Sequence, residues 1–498
     1  MSMPDSTIAI ARSRPRSHER RRTKIVATLG PSTDSPQILE ELIRAGLDVV
    51  RINFSHAGAA EQAERVKLVR SVASKVGRYV GIIGDLQGPK IRIESFRAGH
   101  AMLKVGQQFT LDTAMDPGAG DDQAVGVAYR HLVSDVSRGD VLLLDDGQIV
   151  LDVEEVSGSQ IRCVVKRGGK LSNRKGLNKQ GGGLSAPALT DKDRADIESA
   201  AKLEVDFIAV SFVRNAEDVI EARRLLRAAG GEGYIIAKIE RAEAVDNIHA
   251  IIDASDVIMV ARGDLAVEVG YAAMTGSILG LIRLARARNK VSITATQMLE
   301  SMITHPSPTR AEVSDVANAV MDGTDAVMLS AETAVGSFPV EAVTTMGKVC
   351  VGAEKHENAR RLTNYRLDDT FEHVDEAIAM AVMYTANHLN VGAIIALTES
   401  GSTTLWMSRV RSDIPIYAFT RHEMTRRRVS LYRGVYPASF DVLHTAPARM
   451  HQSAFDILLK DGAVRPGDLV IFTKGEFEGV AGGTNTMQIL TVPNLPNS

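Results

Sequence analysis

The sequence predicts an α/β protein: a TIM (β/α)8 barrel with an inserted small β-domain (a lid) and a further C-terminal α/β domain. Three observations predict it. Short apolar runs alternate with helix-period patterns, three times before residue 88 and five times after residue 185. Between them lie short β-type runs with no long helix. Beyond about residue 360 the composition turns charged, and a new α/β pattern begins. The implied boundaries are a disordered basic tail over 1–21, barrel segments 22–87 and 186–358, the insertion 88–185, and a C-terminal domain 359–498.

The elements follow in order. Lys24–Leu29 reads as a strand ending in Gly30-Pro31, and residues 36–45 as a helix with Ile38, Leu39, Leu42 and Ile43 on one face. Strands at 48–52 and 79–83 flank a helix at 59–75. Their nearly continuous apolar character suits a parallel sheet covered on both faces. In the insertion, runs at 108–111, 141–144, 149–153 and 161–165 are separated by turns such as Asp145-Asp146-Gly147. The rhythm resumes with strands at 207–210, 235–239, 257–260, 291–294 and 326–329. Helices fit at about 191–202, 215–229, 241–252, 270–289, 308–322 and 338–355. A doubly wound open sheet is the competing architecture, but its glycine fingerprint is missing near the first strand. Strands near 393–397, 416–419, 469–472 and 488–492 outline the C-terminal domain.

Composition narrows the function. The 498 residues are 44% apolar and 24% charged, with a net charge of −3. That balance gives no electrostatic case for nucleic acid or a membrane as partner. No apolar run is long enough for a spanning helix. The N-terminal basic stretch lacks the apolar core of a secretory signal. Cys163 and Cys350 lie far apart, with no metal-ligand spacing around them, and read as packing residues of a cytoplasmic protein.

Chemistry-bearing residues cluster just after the barrel strands: Arg51, Asp85, Ser211, Lys238, Asp264, Thr296 and Glu332. In a TIM barrel that end is the catalytic face. Lys238 and Glu240 are two apart and share a strand face, and Asp264 ends the next run. Spacing alone leaves two readings open, a surface ion pair or a Mg²⁺ site beside a phosphate clamp. Arg51 and Arg92 can fork onto carboxylate or phosphate oxygens. Asn53, Ser55 and Asp85 add hard oxygens, and Thr296 adds a hydroxyl. No Ser/His/Asp or Cys/His nucleophile pattern is present. Charges and oxygens without a nucleophile suit phosphoryl transfer. In the C-terminal domain, Thr398, Ser400, Ser402 and Thr403 follow a strand and open a helix. They read as a phosphate cradle or as an ordinary N-cap.

The chain resembles the pyruvate kinases from about Arg22 to Pro493. The motifs are TKIVATLGPST (23–33), VVRINFSH (49–56), GDLQGPKIR (84–92), AKIERAEAVDNI (237–248), VARGDLAVEV (260–269) and the long run from Ala295 to Gly336. The resemblance implies a barrel, a lid and a regulatory C-terminal domain. It implies transfer of the phosphoryl group of phosphoenolpyruvate to ADP, giving pyruvate and ATP, in a homotetramer. Glu240 and Asp264 match its Mg²⁺ (or Mn²⁺) ligands. Lys238 matches the lysine at the transferring phosphoryl group, and Arg51 the arginine on the substrate phosphate. Gly263, Asp264 and Thr296 match the substrate carboxylate site, with Thr296 on the side where the enolate is protonated. Asn53, His56, Arg92 and Lys175 match nucleotide contacts. Asn53, Ser55, Asp85 and the Leu86 carbonyl match a monovalent-cation site. Lys90 stands where potassium-independent members carry Lys, which implies that K⁺ is not required. An ammonium group there supplies the charge that K⁺ would bring. The Thr398–Thr403 loop matches a sugar-phosphate effector site. The facing loop, 475–483, holds two glutamates and no arginine, which favours a sugar monophosphate over a bisphosphate. Two other classes remain, a binding protein with a dead barrel and a Mg²⁺-dependent lyase or aldolase working through pyruvate enolate.

Overall fold

The computed structural model describes residues 20–55, 58–356, 370–475 and 482–494; side chains of 271–275 and 277 lie outside that description. The tail over 1–19, His56, and residues 476–481 of the 475–483 loop therefore fall outside the described residues. The chain divides into two compact units, one of 23–359 plus Arg426–Arg433, the other of the remainder. The expected C-terminal domain is thus interrupted: Arg426–Arg433 belongs with the barrel. Arg427 reaches the buried Asp206 at 2.8 Å, and the Arg428 guanidinium lies 4.3 Å from the Tyr234 ring centroid.

In the larger unit, eight parallel strands close a barrel: β1 (Lys24–Thr28), β2 (Val49–Asn53), β3 (Gly81–Asp85), β12 (Phe207–Val210), β13 (Tyr234–Ile239), β14 (Val257–Ala261), β15 (Val291–Ala295) and β16 (Ala326–Leu329). Neighbours follow chain order around the ring, and β1 closes on β16. All residues of β1, β12, β14, β15 and β16 are buried, as strands between a packed interior and a helical shell must be. The helices are punctuated locally. Pro36–Ala45 starts with Ser35 accepting from the Ile38 N–H at 3.4 Å and stops at Gly46, φ +112°. Arg310–Asp322 starts on a reciprocal Thr309/Glu312 cap and stops at Gly323, φ +100°. Their apolar faces and the strands make one continuous core.

The insertion leaves after β3 and returns before the helix Asp191–Lys202. Its main sheet has six strands: β5 (Gln108–Asp112), β6 (Ala124–Gly126), β7 (Val141–Leu144), β8 (Ile149–Ser157), β9 (Gln160–Arg167) and β11 (Leu177–Lys179). A two-stranded sheet pairs β4 (His100–Leu103) with β10 (Gly169–Ser172). The entering and leaving chains pair as a narrow ladder. Leu177 N–H donates to the Ile91 carbonyl at 2.9 Å, and Ile93 N–H to that of Lys175 at 3.0 Å. At its root Gly88 has φ +66°, and a Cβ there would lie 2.8 Å from that of Ser211, so neither turn nor packing admits a larger residue.

The smaller unit is a five-stranded sheet in the order β19 (Val435–Ser439), β18 (Ile416–Thr420), β17 (Val391–Leu397), β20 (Leu469–Gly475), β21 (Thr484–Thr491), with only β21 antiparallel. Arg20, inside the stretch expected to be tail, belongs to this unit, with Nη1 2.8 Å from the Tyr417 hydroxyl and 2.9 Å from Asp461. Among the described residues no helix is long and apolar enough to cross a membrane. Cys163 and Cys350 are free and buried, and burial pushes the Cys163 thiol up to about 12.

Candidate active site

The site lies where the barrel strands end. Lys238, next to last in β13, is largely covered by the ends of its neighbours, its side chain 11% exposed. Its ammonium group donates to Ser211 Oγ at 2.7 Å and lies 3.0 Å from Glu240 Oε1 and 3.4 Å from Asp85 Oδ1. Ser211 Oγ in turn donates to the Leu86 carbonyl at 2.8 Å. Burial works to discharge Lys238, but Asp85 and Glu240 outweigh it and its pKa is raised. These carboxylates do not lie at the surface: Asp85 is 1% exposed and Glu240 2%.

Asp85 ends β3 and sits between two cations, with Arg51 Nε on one carboxylate oxygen and Lys238 near the other. Burial works to raise its pKa, yet Arg51 and Lys238 hold it below the usual carboxylate range. Arg51 also donates to Thr28 Oγ1 at 3.2 Å, which leaves its Nη2 edge without a hydrogen bond among the described residues. Glu240 is the less well compensated partner. Burial raises its proton affinity against the pull of Lys238, and the charges of Asp264 and Asp85 raise it further. Its second oxygen accepts from Phe212 N–H at 2.8 Å, and Phe212 is held at φ +56°.

Asp264 corrects one expectation. It does not end a strand; the residues after β14 form a helix, Arg262–Val269, and Asp264 lies in its first turn. Gly263 N–H donates to Thr296 Oγ1 at 2.9 Å. A Cβ on Gly263 would project toward that hydroxyl, 3.6 Å away, so glycine keeps this corner open. Thr296 (φ +67°) and Gln297 (φ +54°) occupy the left-handed region, which costs β-branched Thr on the order of 1–3 kcal/mol. Arg262 holds that turn, donating to the Thr296 carbonyl at 2.8 Å and to Asp315 at 2.6 Å. Sequence reasoning missed Arg262, because these partners lie 34 and 53 residues on and no spacing rule links them. Glu332, by contrast, is structural: it is 2% exposed and accepts from Ser330 N–H at 2.7 Å and Leu299 N–H at 3.1 Å.

The remaining candidates lie around this centre. Lys90 comes in from the lid root, with Nζ 3.4 Å from Asp264 Oδ1. Asn53 is in register with Asp85, and its Oδ1 accepts from Ser55 N–H at 3.0 Å. Arg92 and Lys175 sit on the lid ladder. Arg92 donates to the Arg174 carbonyl at 3.0 Å, and Lys175 pairs with Asp145 at 2.7 Å. Glu240 and Asp264 fit a divalent cation by donor chemistry: hard carboxylate oxygens, with only ammonium groups as their present counter-charges. Among the described residues no group of three or more His, Cys, Asp or Glu side chains could hold a metal. Two carboxylates suit Mg²⁺, which keeps waters and accepts substrate oxygens as further ligands.

Comparison with known proteins identifies the family. A family model described as the barrel domain of pyruvate kinase matches residues 20–343, and one for its alpha/beta domain matches 376–490. The chain belongs to the pyruvate kinase family. It is 54% identical to pyruvate kinase II of Salmonella typhimurium across 95% of this chain and 99% of that protein. It is 50% identical to a pyruvate kinase of Haemophilus influenzae across 91% of this chain and 96% of that one, and 42% identical to one of Bacillus licheniformis across 95% and 81%. The pyruvate kinase barrel and C-terminal α/β domain are thereby both accounted for.

At the lid root the structure adds Glu268, on the same helix as Asp264, whose carboxyl is pushed up to about 7 by burial. A raised acid favours folding while protonated, and that contribution is lost as pH rises from the unfolded value through the folded one. Glu268→Gln removes the titration. It is expected to gain roughly 2 kcal/mol of stability on the wild type between about pH 5 and about pH 8, read from urea midpoints. A pH-independent difference would refute the assignment.

In the C-terminal unit, Thr398 and Thr403 line a cleft together with Glu399, Thr420, Arg421 and Lys474. Thr398 Oγ1 accepts from Gly401 N–H at 2.9 Å, Ser400 and Ser402 hydroxyls meet at 3.2 Å, and Thr403 meets Thr484 at 2.8 Å. Glu399 pairs within the cleft with Arg421, at 3.2 Å, and meets the His422 ring.

Proposed function

We propose that this chain transfers the phosphoryl group of phosphoenolpyruvate to ADP, giving pyruvate and ATP. The observation that carries the reading is the largely covered ammonium group of Lys238, held by Ser211, Glu240 and Asp85 where three strands end. The phosphoryl group moves from the enol oxygen to a β-phosphate oxygen of ADP, and the enolate left behind takes a proton at carbon. Lys238 offers a fixed positive charge to the phosphoryl group in flight, in a place where water does not screen it. The outer edge of Arg51 meets the substrate phosphate. Gly263 and Thr296 orient the carboxylate, and the Thr296 hydroxyl lies on the protonation side. Arg92, Lys175, Asn53 and His56 meet the nucleotide. Mg²⁺ or Mn²⁺ held by Glu240 and Asp264 would add charge neutralisation of the phosphoryl oxygens. Pyruvate formation assayed with and without ADP tests the reading. Pyruvate only with ADP is expected; pyruvate without it would point to a lyase, and none at all to a dead barrel.

Two finer readings belong with it. The first is independence of K⁺, which rests on Lys90, whose ammonium group enters the site from the lid root. Full activity in Na⁺ or tetramethylammonium is expected, and Lys90→Glu should lose about tenfold or more there and recover in K⁺. A wild type that works only with K⁺ would sink this. The second is regulation by a sugar monophosphate at the Thr398–Thr403 loop, supported by the cleft of hydroxyls with Arg421 and Lys474. Thr403→Ala should weaken activation by a monophosphate about tenfold. Tighter activation of the wild type by fructose 1,6-bisphosphate would overturn the preference. A cytoplasmic homotetramer is the assembly this reading carries, from family membership.

A further inference from the structure

Both chains of the lid root are tied to the one helix that carries Gly263 and Asp264. The entering chain is tied by Lys90, whose ammonium group lies 3.4 Å from Asp264 Oδ1 in the first turn. The leaving chain is tied at the other end of the helix. Asn178 Nδ2 donates to Glu268 Oε1 at 3.3 Å, and Gly181 N–H donates to the Glu268 carbonyl at 3.0 Å. The second carboxylate oxygen of Glu268 accepts from Ala242 N–H at 3.0 Å, just past Lys238 and Glu240. Arg241 completes the joint by donating to the Leu184 carbonyl at 2.8 Å. Glu243, which accepts from Gly183 N–H, packs so closely that a Cβ on Gly182 would meet its carboxylate at 2.6 Å.

We propose that Glu268 is a positioning residue that fixes the nucleotide-bearing ladder of the lid to the helix that presents Gly263 and Asp264. The placement rests on the proposed function, in which Arg92 and Lys175 meet ADP. Asn178 follows Lys175 by three positions, and the ladder bonds Leu177 to Ile91 and Ile93 to Lys175. A shift at Asn178 is therefore passed to both cations. The chemistry also argues for a role beyond packing. Glu268 is 2% exposed, and a buried carboxylate is costly where an apolar side chain would fill the same space. What an apolar side chain could not supply here is a simultaneous hold on the lid, through Asn178, and on the loop behind Glu240, through Ala242. A small cavity lies at the joint, lined by Lys90, Asn178, Phe212, Arg241 and Glu268.

The test uses the full-length chain and separates substrate constants. Glu268→Ala and Asn178→Ala are each expected to raise KM for ADP about fivefold or more, with KM for phosphoenolpyruvate within about twofold. The double variant should be no worse than the worse single one, because both remove one contact. Glu268→Gln should restore KM for ADP to within about twofold, since its carbonyl can take Ala242 N–H while the Asn178 amide turns to offer oxygen. If Glu268→Ala does not fold, Asn178→Ala alone must show the split. Equal shifts in both constants, additive losses, or a Gln variant as impaired as Ala would each overturn the proposal while leaving the reaction standing. Absence of pyruvate from the wild type would instead strike the reaction, and this inference with it.

Discussion

Lys238→Met is expected to lower kcat by about a thousandfold or more without weakening divalent-cation binding. The expectation follows from where the charge is held. Lys238 donates to Ser211 at 2.7 Å and lies between Asp85 and Glu240, so it is fixed before any substrate arrives. A charge that needs no reorganisation is worth most as negative charge develops on the phosphoryl oxygens. Methionine keeps the stem and removes only the ammonium group. Glu240 then loses its nearest cation, and its hold on a divalent ion should tighten at neutral pH rather than relax. Lys238→Arg should not restore turnover, because a planar fork cannot occupy the tetrahedral set of contacts around Nζ. Single-turnover kinetics with calorimetry of Mn²⁺ binding reads both quantities. A variant that loses metal affinity and activity together would mean that Lys238 organises the metal ligands rather than the transfer.

The barrel was legible because its strands are buried on both faces and its helices carry their own stops. Phe207–Val210 and Ala326–Leu329 coincide with the apolar runs, and Pro36–Ala45 lies between its Ser35 cap and Gly46. Segments governed by other rules were not legible. The helix Arg262–Val269 was read as a strand end, since Arg-Gly-Asp has no helical periodicity and its first turn is set by contacts to Thr296 and Ala295. Strand β19 carries Pro437 and lacks alternation; it survives as a strand because it lies at the sheet edge. The short lid strands β4, β10 and β11 depend on partners far along the chain, which apolar runs do not encode. The same division runs through the site. Lys238 and Glu240 were visible as a two-residue repeat on one strand. Ser211 was visible without its role, Glu332 was mistaken for a member, and Arg262 and Glu268 were missed, because each is defined by what it meets across the barrel end.

Asp85→Ala is expected to damage both stability and catalysis, and to do so through the two cations it separates. Arg51 Nε and Lys238 Nζ approach the same carboxylate, which is 1% exposed. With the carboxylate gone, two buried positive charges face each other with Glu240 as the nearest remaining anion. Loss of one partner from a buried ionic cluster costs about 3–5 kcal/mol, more than a cavity the size of a carboxyl group would. Turnover should fall by about a hundredfold or more, since Arg51 and Lys238 both lose the group that aims them. Asp85→Asn keeps the volume and should recover most of the packing but little of the activity, because an amide cannot balance two cations. Acid should mimic the substitution. Arg51 and Lys238 hold the Asp85 carboxyl below the usual range, so its stabilising charge is present above the unfolded pKa and is lost as pH falls through the lower folded value. The decisive comparison is a cycle with Lys238→Met. Removing the ammonium group relieves the repulsion that Asp85→Ala creates, so the double variant should be more stable than the sum of the single losses predicts. Strict additivity, measured by urea unfolding of all four proteins, would mean that Asp85 and Lys238 do not share one electrostatic unit, and the charge-holding role given to Asp85 would have to be abandoned.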